Sequence, residues 1–159
     1  MDVVFNNGNL RFNYRVAGVW KMNDYVLVHK SEVDEHWALP GGRVKFMEDS
    51  KLALKREFLE ELNAKVEIGN MLWTTENFFE YEGQSFHEIG FYYQVNGEVE
   101  IFTTEPFYGV EDDQKLLYQW VRMDELHKLP LQPSFLREGI QQLPTYPVHL
   151  IEKDERKTE

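Results

Sequence analysis

The chain of 159 residues predicts a mixed β-sheet sandwiched between helices, and three observations predict it. Residues 50–62 carry a helical period and lie between strand-like segments on either side. A second helical pattern covers residues 133–143 near the end of the chain. Residues 86–95 load aromatics on both strand faces, which implies a sheet covered twice. These patterns alone leave α+β and α/β both open.

In chain order, residues 1–10 read as a polar lead-in in which Asn6-Asn7-Gly8-Asn9 forms a turn. From Phe12 the chain extends, with Phe12, Tyr14, Val16, Gly18 and Trp20 on one face and Asn13, Arg15, Ala17 and Val19 on the other. Met22-Asn23-Asp24 turns into a second strand, residues 25–29, so the two form a hairpin. The acidic loop 31–36 leads to Trp37-Ala38-Leu39, a short strand stopped by Pro40. Ser50 or Asp49 caps the start of the helix, and Asn63 takes the left-handed conformation that ends it. Leu52, Phe58, Leu59 and Leu62 are expected to face the sheet, with Lys55 snorkelling outward.

Beyond the helix, Val66-Glu67-Ile68 alternates, Gly69-Asn70 turns, residues 71–79 form a longer strand, and Glu82-Gly83-Gln84 turns again. The next strand sets His87, Ile89, Phe91, Tyr93 and Val95 against Glu88, Gly90, Tyr92 and Gln94. Asn96-Gly97 is a hairpin turn toward a strand at 99–103. Gln119-Trp120-Val121 reads as the last short strand, Met123-Asp124-Glu125-Leu126 as a helical turn, and residues 152–159 as a charged, frayed tail. The expectation is one globular domain over residues 1–159.

Composition narrows the function. With 17 basic against 28 acidic residues the formal charge is −11, which repels nucleic-acid polymers and anionic membranes. There are no cysteines, so disulfides, thiolate zinc sites and cysteine nucleophiles are excluded. No stretch is long enough to span a membrane, and Met1-Asp2-Val3-Val4-Phe5 lacks the basic start of a signal peptide, so a cytoplasmic enzyme is expected.

The helix holds the chemistry. At about 100° per residue, Glu57, Glu60 and Glu61 project from one arc roughly 100° wide. Like charges at that spacing cost about 0.2 to 0.5 kcal/mol per pair, so the arrangement calls for something positive above it. Mg²⁺ or Mn²⁺ and Arg56 are the candidates. Both ions favour oxygen ligands, and Mg²⁺ binds carboxylates together with substrate phosphates, so a phosphate ester or anhydride is the natural substrate.

Gly42, then Glu48, then Arg56-Glu57, then Glu60-Glu61 stand at spacings that resemble the Nudix box, and Trp37-Ala38-Leu39-Pro40 leading into Gly41-Gly42 is also similar to that family. Asn63 and Ala64 depart from the glycine and larger aliphatic residue that usually close the box, and Phe58 is a bulky inner hydrophobe. The resemblance implies a Nudix-type α/β/α sandwich around a mixed sheet. It also implies hydrolysis of a nucleoside diphosphate linked to another moiety, giving a nucleoside monophosphate and a phosphorylated product. Glu57, Glu60 and Glu61 would hold Mg²⁺, or Mn²⁺ in its place, with the backbone carbonyl of Gly41 completing the shell. Arg56 would pair with Glu48 and fix the loop to the helix; Arg43 is placed to meet a phosphate, and Arg15, on the polar strand face, to meet a phosphate or a base. A further carboxylate, which the family places variably, is assigned to Glu111, beside Asp112 and Asp113; Glu88 is the other candidate.

For the substrate, the proline that marks the ADP-ribose-cleaving branch is replaced by Phe79, whereas Tyr81 falls where the dinucleoside-polyphosphate branch carries tyrosine. Trp73, Phe79, Tyr81 and Phe86 are all able to stack on a base, and Phe79 and Tyr81 are taken as the substrate-binding pair. The pattern of coenzyme A cleavers is absent. A triphosphate or dinucleoside-polyphosphate pyrophosphohydrolase is therefore expected. An ADP-ribose or nucleotide-sugar pyrophosphatase, a non-catalytic nucleotide-binding module and a partner-binding protein are the alternatives. The partner expected is a small nucleotide, and a homodimer is open to the chain because family members often form one.

Overall fold

In the computed structural model, residues 1–97, 101–110 and 115–153 are described. The strands are β1 (Val4–Asn7), β2 (Leu10–Met22), β3 (Tyr25–Ser31), β4 (Gly41–Arg43), β5 (Val66–Tyr81), β6 (Gln84–Gly97), β7 (Phe107–Tyr108), β8 (Leu116–Arg122) and β9 (Val148–Lys153). They form one mixed sheet in the order β7-β8-β3-β2-β6-β5-β9, with β1 and β4 also on β2. Helix α1 (Ser50–Leu62) covers one face; a 3₁₀ helix, Met123–Lys128, and the short α2 (Leu136–Gly139) cover the other. This is an α/β sandwich. Among the described residues no helix is long and apolar enough to cross a membrane.

β2 explains why both faces are dry. Val16 and Trp20 enter the core under α1 with Leu54, Phe58, Tyr93 and Val95, while Ala17 and Val19 enter the opposite core with Trp73, Tyr92, Leu136 and Ile140. Each large apolar side chain so buried contributes about 1.5 to 3 kcal/mol, which favours covering both faces. β2 meets β3 only at Lys21 and Met22, as a hairpin; farther back its edge is taken by β4 and β1. The sheet therefore parts between β4 and β3.

Several expectations are corrected. The lead-in contains β1, which pairs antiparallel with β2. Gly69-Asn70 is no turn but an irregularity inside β5, where register shifts mark the extra residues. Trp37 and Ala38 make isolated bridges to Leu131 and His29 instead of a strand. Residues 133–143 yield only α2: Leu136 and Ile140, one turn apart, fill the core against Trp73, while Gly139 weakens the helix and Pro144 ends any continuation. Of the expected strand at 99–103, Ile101, Phe102 and Thr103 are not in a strand, and the rest lies outside the described residues. Glu152 and Lys153 belong to β9, an edge strand parallel to β5, whose half-exposed side chains gave little periodic signal.

The largest correction concerns α1. Asp49 caps it by accepting from the Leu52 amide, and Asn63 closes it at φ 51°, as its left-handed role requires. Yet Leu52 and Leu59 are 56% and 48% exposed, and the buried arc runs through Ala53, Leu54, Phe58, Glu61 and Leu62. The helix is rolled so that its acidic side meets protein. Phe58 packs edge-on against Trp20 with ring centroids 5.6 Å apart, anchoring that rotation.

Candidate active site

The loop ahead of α1 and the helix itself are joined through Arg56. Its Nε and Nη2 donate to the two Glu48 carboxylate oxygens at 2.7 and 2.9 Å, a bidentate pair, and Nη2 also donates to the Arg43 carbonyl at 3.1 Å. Nη1 donates to Glu57 at 2.9 Å and Glu60 at 3.2 Å. One guanidinium thus ties the loop, β4 and two helix carboxylates together. The Arg56 hydrogen bonds hold the Glu48 carboxyl below its usual range, and Glu48 in turn holds Arg56 more firmly protonated.

The three glutamates differ in environment. Glu60 is exposed, whereas Glu57 is mostly covered and Glu61 is only 7% exposed. Burial pushes the Glu57 carboxyl up, with Arg56 opposing. Burial likewise raises Glu61 to about 7; the hydrogen bond from Tyr118 Oη, at 2.6 Å, opposes, and the Glu57 charge adds to the rise. Burial penalises the charged form of both acids, and a positive charge placed beside them would offset that penalty.

Glycines make the space. A Cβ on Gly42 would come within 2.4 Å of the Glu57 carboxyl carbon, so Gly42 lets the acid stand against β4. A Cβ on Gly41 would come within 2.0 Å of the Val16 carbonyl, so Gly41 is fixed by contact between β4 and β2.

Oxygen-only donors suit a hard divalent cation. Glu57, Glu60 and Glu61 fit such an ion by chemistry and by their need for positive charge. Among the described residues no three acid or imidazole groups already form a metal cluster, and Arg56 occupies Glu57 and Glu60.

On the cleft side of the sheet, Arg15, Arg43, Phe79 and Tyr81 all line one cavity of about 720 Å³. Arg15 Nη2 also donates to the Leu39 carbonyl at 3.4 Å. Phe79 stacks on Phe86 with centroids 4.9 Å apart, and Tyr81 stands edge-on to Phe86 at 6.2 Å. The cleft therefore has an aromatic wall and three guanidinium groups, those of Arg11, Arg15 and Arg43. Glu111, with Asp112 and Asp113, lies outside the described residues. Glu88 lines the cleft beside Asn13, on the sheet face opposite Val16 and α1.

Sequence reasoning missed Tyr118 and His29. Tyr118, on β8, reaches Glu61 only because the sheet brings β8 beside α1. His29 is buried against the Tyr118 ring at 5.2 Å, with Nδ1 lacking a partner among the described residues. Burial, then the Arg15 charge, lower its pKa to about 3. Neither residue carries a local signal, since both contacts cross the fold.

The NUDIX domain model matches residues 12–143. The fold is similar to the MutT protein of Bacillus halodurans, at 18% identity and TM-score 0.60 over 86% of this chain and 89% of that one. It is also similar to the MutT protein of Methanosarcina mazei Go1, at 20% identity and TM-score 0.55 over 82% and 91%. An ADP-ribose pyrophosphatase from Streptococcus suis aligns at 14% identity and TM-score 0.53 over 87% and 98%. At such identities the likeness carries the fold alone. No curated protein matches the sequence.

Proposed function

The chain belongs to the NUDIX family, and we propose that, as a hydrolase of phosphoanhydride bonds, it cleaves a nucleoside diphosphate linked to another moiety. The products are a nucleoside monophosphate and a phosphorylated fragment. The substrate is a small nucleotide of the triphosphate or dinucleoside-polyphosphate type.

The observation that carries this reading is the burial of Glu61 and the cover given to Glu57 against Gly42, on the strand whose next residue, Arg43, lines a cleft together with Arg15, Phe79 and Tyr81. The proposed division of work follows from it. Glu57, Glu60 and Glu61, with the Gly41 carbonyl, hold Mg²⁺ or Mn²⁺. Such an ion, when bound, neutralises the pyrophosphate and lowers the pKa of water. Arg15 and Arg43 bind phosphate oxygens, and Phe79 and Tyr81 contact the base. Arg56 and Glu48 are positioning residues that hold the loop on α1. Glu111 is the proposed base outside the box.

Phosphate release after phosphatase treatment, with and without Mg²⁺ or Mn²⁺, tests the reading across nucleoside triphosphates, dinucleoside polyphosphates, ADP-ribose and nucleotide sugars. Metal-dependent turnover of a triphosphate or dinucleoside polyphosphate is expected. Turnover confined to ADP-ribose or nucleotide sugars overturns the substrate assignment. Silence across the panel from folded protein favours a module that binds nucleotides without cleaving them.

A further inference from the structure

Away from the glutamate helix, the cleft has a second polar centre. β2, β6 and β5 run side by side there, and their register sets rows of side chains across one sheet face. Arg11, Phe86 and Phe79 make one row, Asn13, Glu88 and Asn77 the next, and Arg15, Gly90 and Thr75 a third. Successive rows lie about 7 Å apart, because alternate strand residues share a face. An aromatic platform, a carboxylate and a guanidinium therefore follow one another in a line.

The carboxylate is under-used. Glu88 is 7% exposed and accepts from Asn13 Nδ2 at 3.2 Å, while Asn13 Oδ1 is buried without a partner among the described residues. Turning the Asn13 amide over would set oxygen against oxygen, so its donor is committed to Glu88. Among the described residues Glu88 makes no ion pair and has no second hydrogen-bonding side chain, and it lines the cleft. A carboxylate only accepts hydrogen bonds, and Glu88 keeps acceptor capacity toward the cleft that Asn13 does not use. The group that would satisfy it presents adjacent N–H donors and is flat enough to lie beside Phe79, whose stacking partner Phe86 also carries the Arg11 guanidinium over its ring at 5.7 Å.

We propose that Glu88 is a specificity-determining residue that accepts hydrogen bonds from the N1–H and 2-amino groups of a guanine base, so that the substrate is a guanine nucleotide. Among the common bases this edge alone offers two neighbouring donors. Adenine and cytosine place an acceptor beside their amino group, and uracil offers one N–H between two carbonyls. Asn13 is a positioning residue that orients Glu88, and Arg15, one row on, faces the phosphates. The inference rests on the nucleotide-hydrolase reading for the nature of its ligand.

Calorimetric titration with GMP, IMP and AMP tests it without requiring turnover. Wild-type protein is expected to bind GMP about tenfold or more tighter than AMP, and tighter than IMP, which lacks the 2-amino group. Glu88→Gln, with its fold checked by thermal melting, is expected to lose that preference and move toward AMP, because an amide offers one acceptor and one donor. Equal wild-type affinities for the three, no GMP binding, or an unchanged ratio in Glu88→Gln overturns the proposal. Because the IMP comparison uses wild-type protein, the test survives a variant that fails to fold. Base preference without turnover of any guanine nucleotide leaves this inference standing and removes the hydrolase reading; turnover without guanine preference does the reverse.

Discussion

Glu61 carries a carboxylate at 7% exposure, bonded by Tyr118 and raised to about 7 by burial and by Glu57. A folded-state pKa above the unfolded value means that, in metal-free protein, the stability Glu61 contributes is present at low pH and lost as pH rises from about 4.5 through 7. Glu61→Gln keeps the acceptor for Tyr118 and removes the charge. Its metal-free form is expected to melt higher than wild type at pH 8, by a margin on the order of 1 to 2 kcal/mol, while kcat falls by about a hundredfold or more. Near-wild-type kcat in a folded variant would remove Glu61 from the proposed metal site. The spacing of the glutamates was legible in the sequence; the burial of Glu61 was not, because β8 supplies its wall from 57 residues away.

At the scale of elements, β4 and α1 make a contact in which neighbouring glycines have different jobs. Gly41→Ala sets a Cβ against the Val16 carbonyl, a backbone atom that has nowhere to go, and is expected to destabilise the fold by about 2 kcal/mol or more. Gly42→Ala meets the flexible end of Glu57 instead, so it is expected to lower kcat about tenfold or more with a smaller loss of stability. Paired thermal melts and kinetics check the contrast; equal stability losses with unchanged kcat would show that Gly42 does not position Glu57. The Asn63 stop of the helix was legible and its cap was narrowed to Ser50 or Asp49, because both depend on neighbours in sequence; the structure selects Asp49. The rotation of the helix was misjudged. Leu52 and Leu59 looked like core, yet Phe58 against Trp20 and the space over Gly42 turn the acidic arc inward.

For the whole molecule, acid stability is linked to a residue far from any motif. His29 has a folded pKa of about 3 against about 6.5 when unfolded, so the unfolded chain takes the proton first. Its contribution is full above pH 6.5 and is lost as pH falls toward 3, at up to about 1.4 kcal/mol per unit. Glu61 has the opposite slope between about 4.5 and 7, so the two offset each other over part of that window. Denaturant unfolding of His29→Gln between pH 4 and 7 is expected to show a flatter loss on the acid side than wild type; an identical profile would show that His29 does not carry the linkage. Sequence by itself determined where most strands lie along the chain, the end of α1, the acidic and cysteine-free character, and the Gly42, Glu48, Arg56, Glu57, Glu60 and Glu61 constellation, since each is read from composition or from spacing along the chain. Tertiary structure alone decided which face of α1 is buried, that Tyr118 lies beside Glu61 and His29 beside Tyr118, that β9 completes the sheet, and that Asn13, Glu88 and Phe79 share one cleft face. Those outcomes depend on strand register and on contacts between distant segments, where burial energy selects among arrangements that local patterns leave equally open.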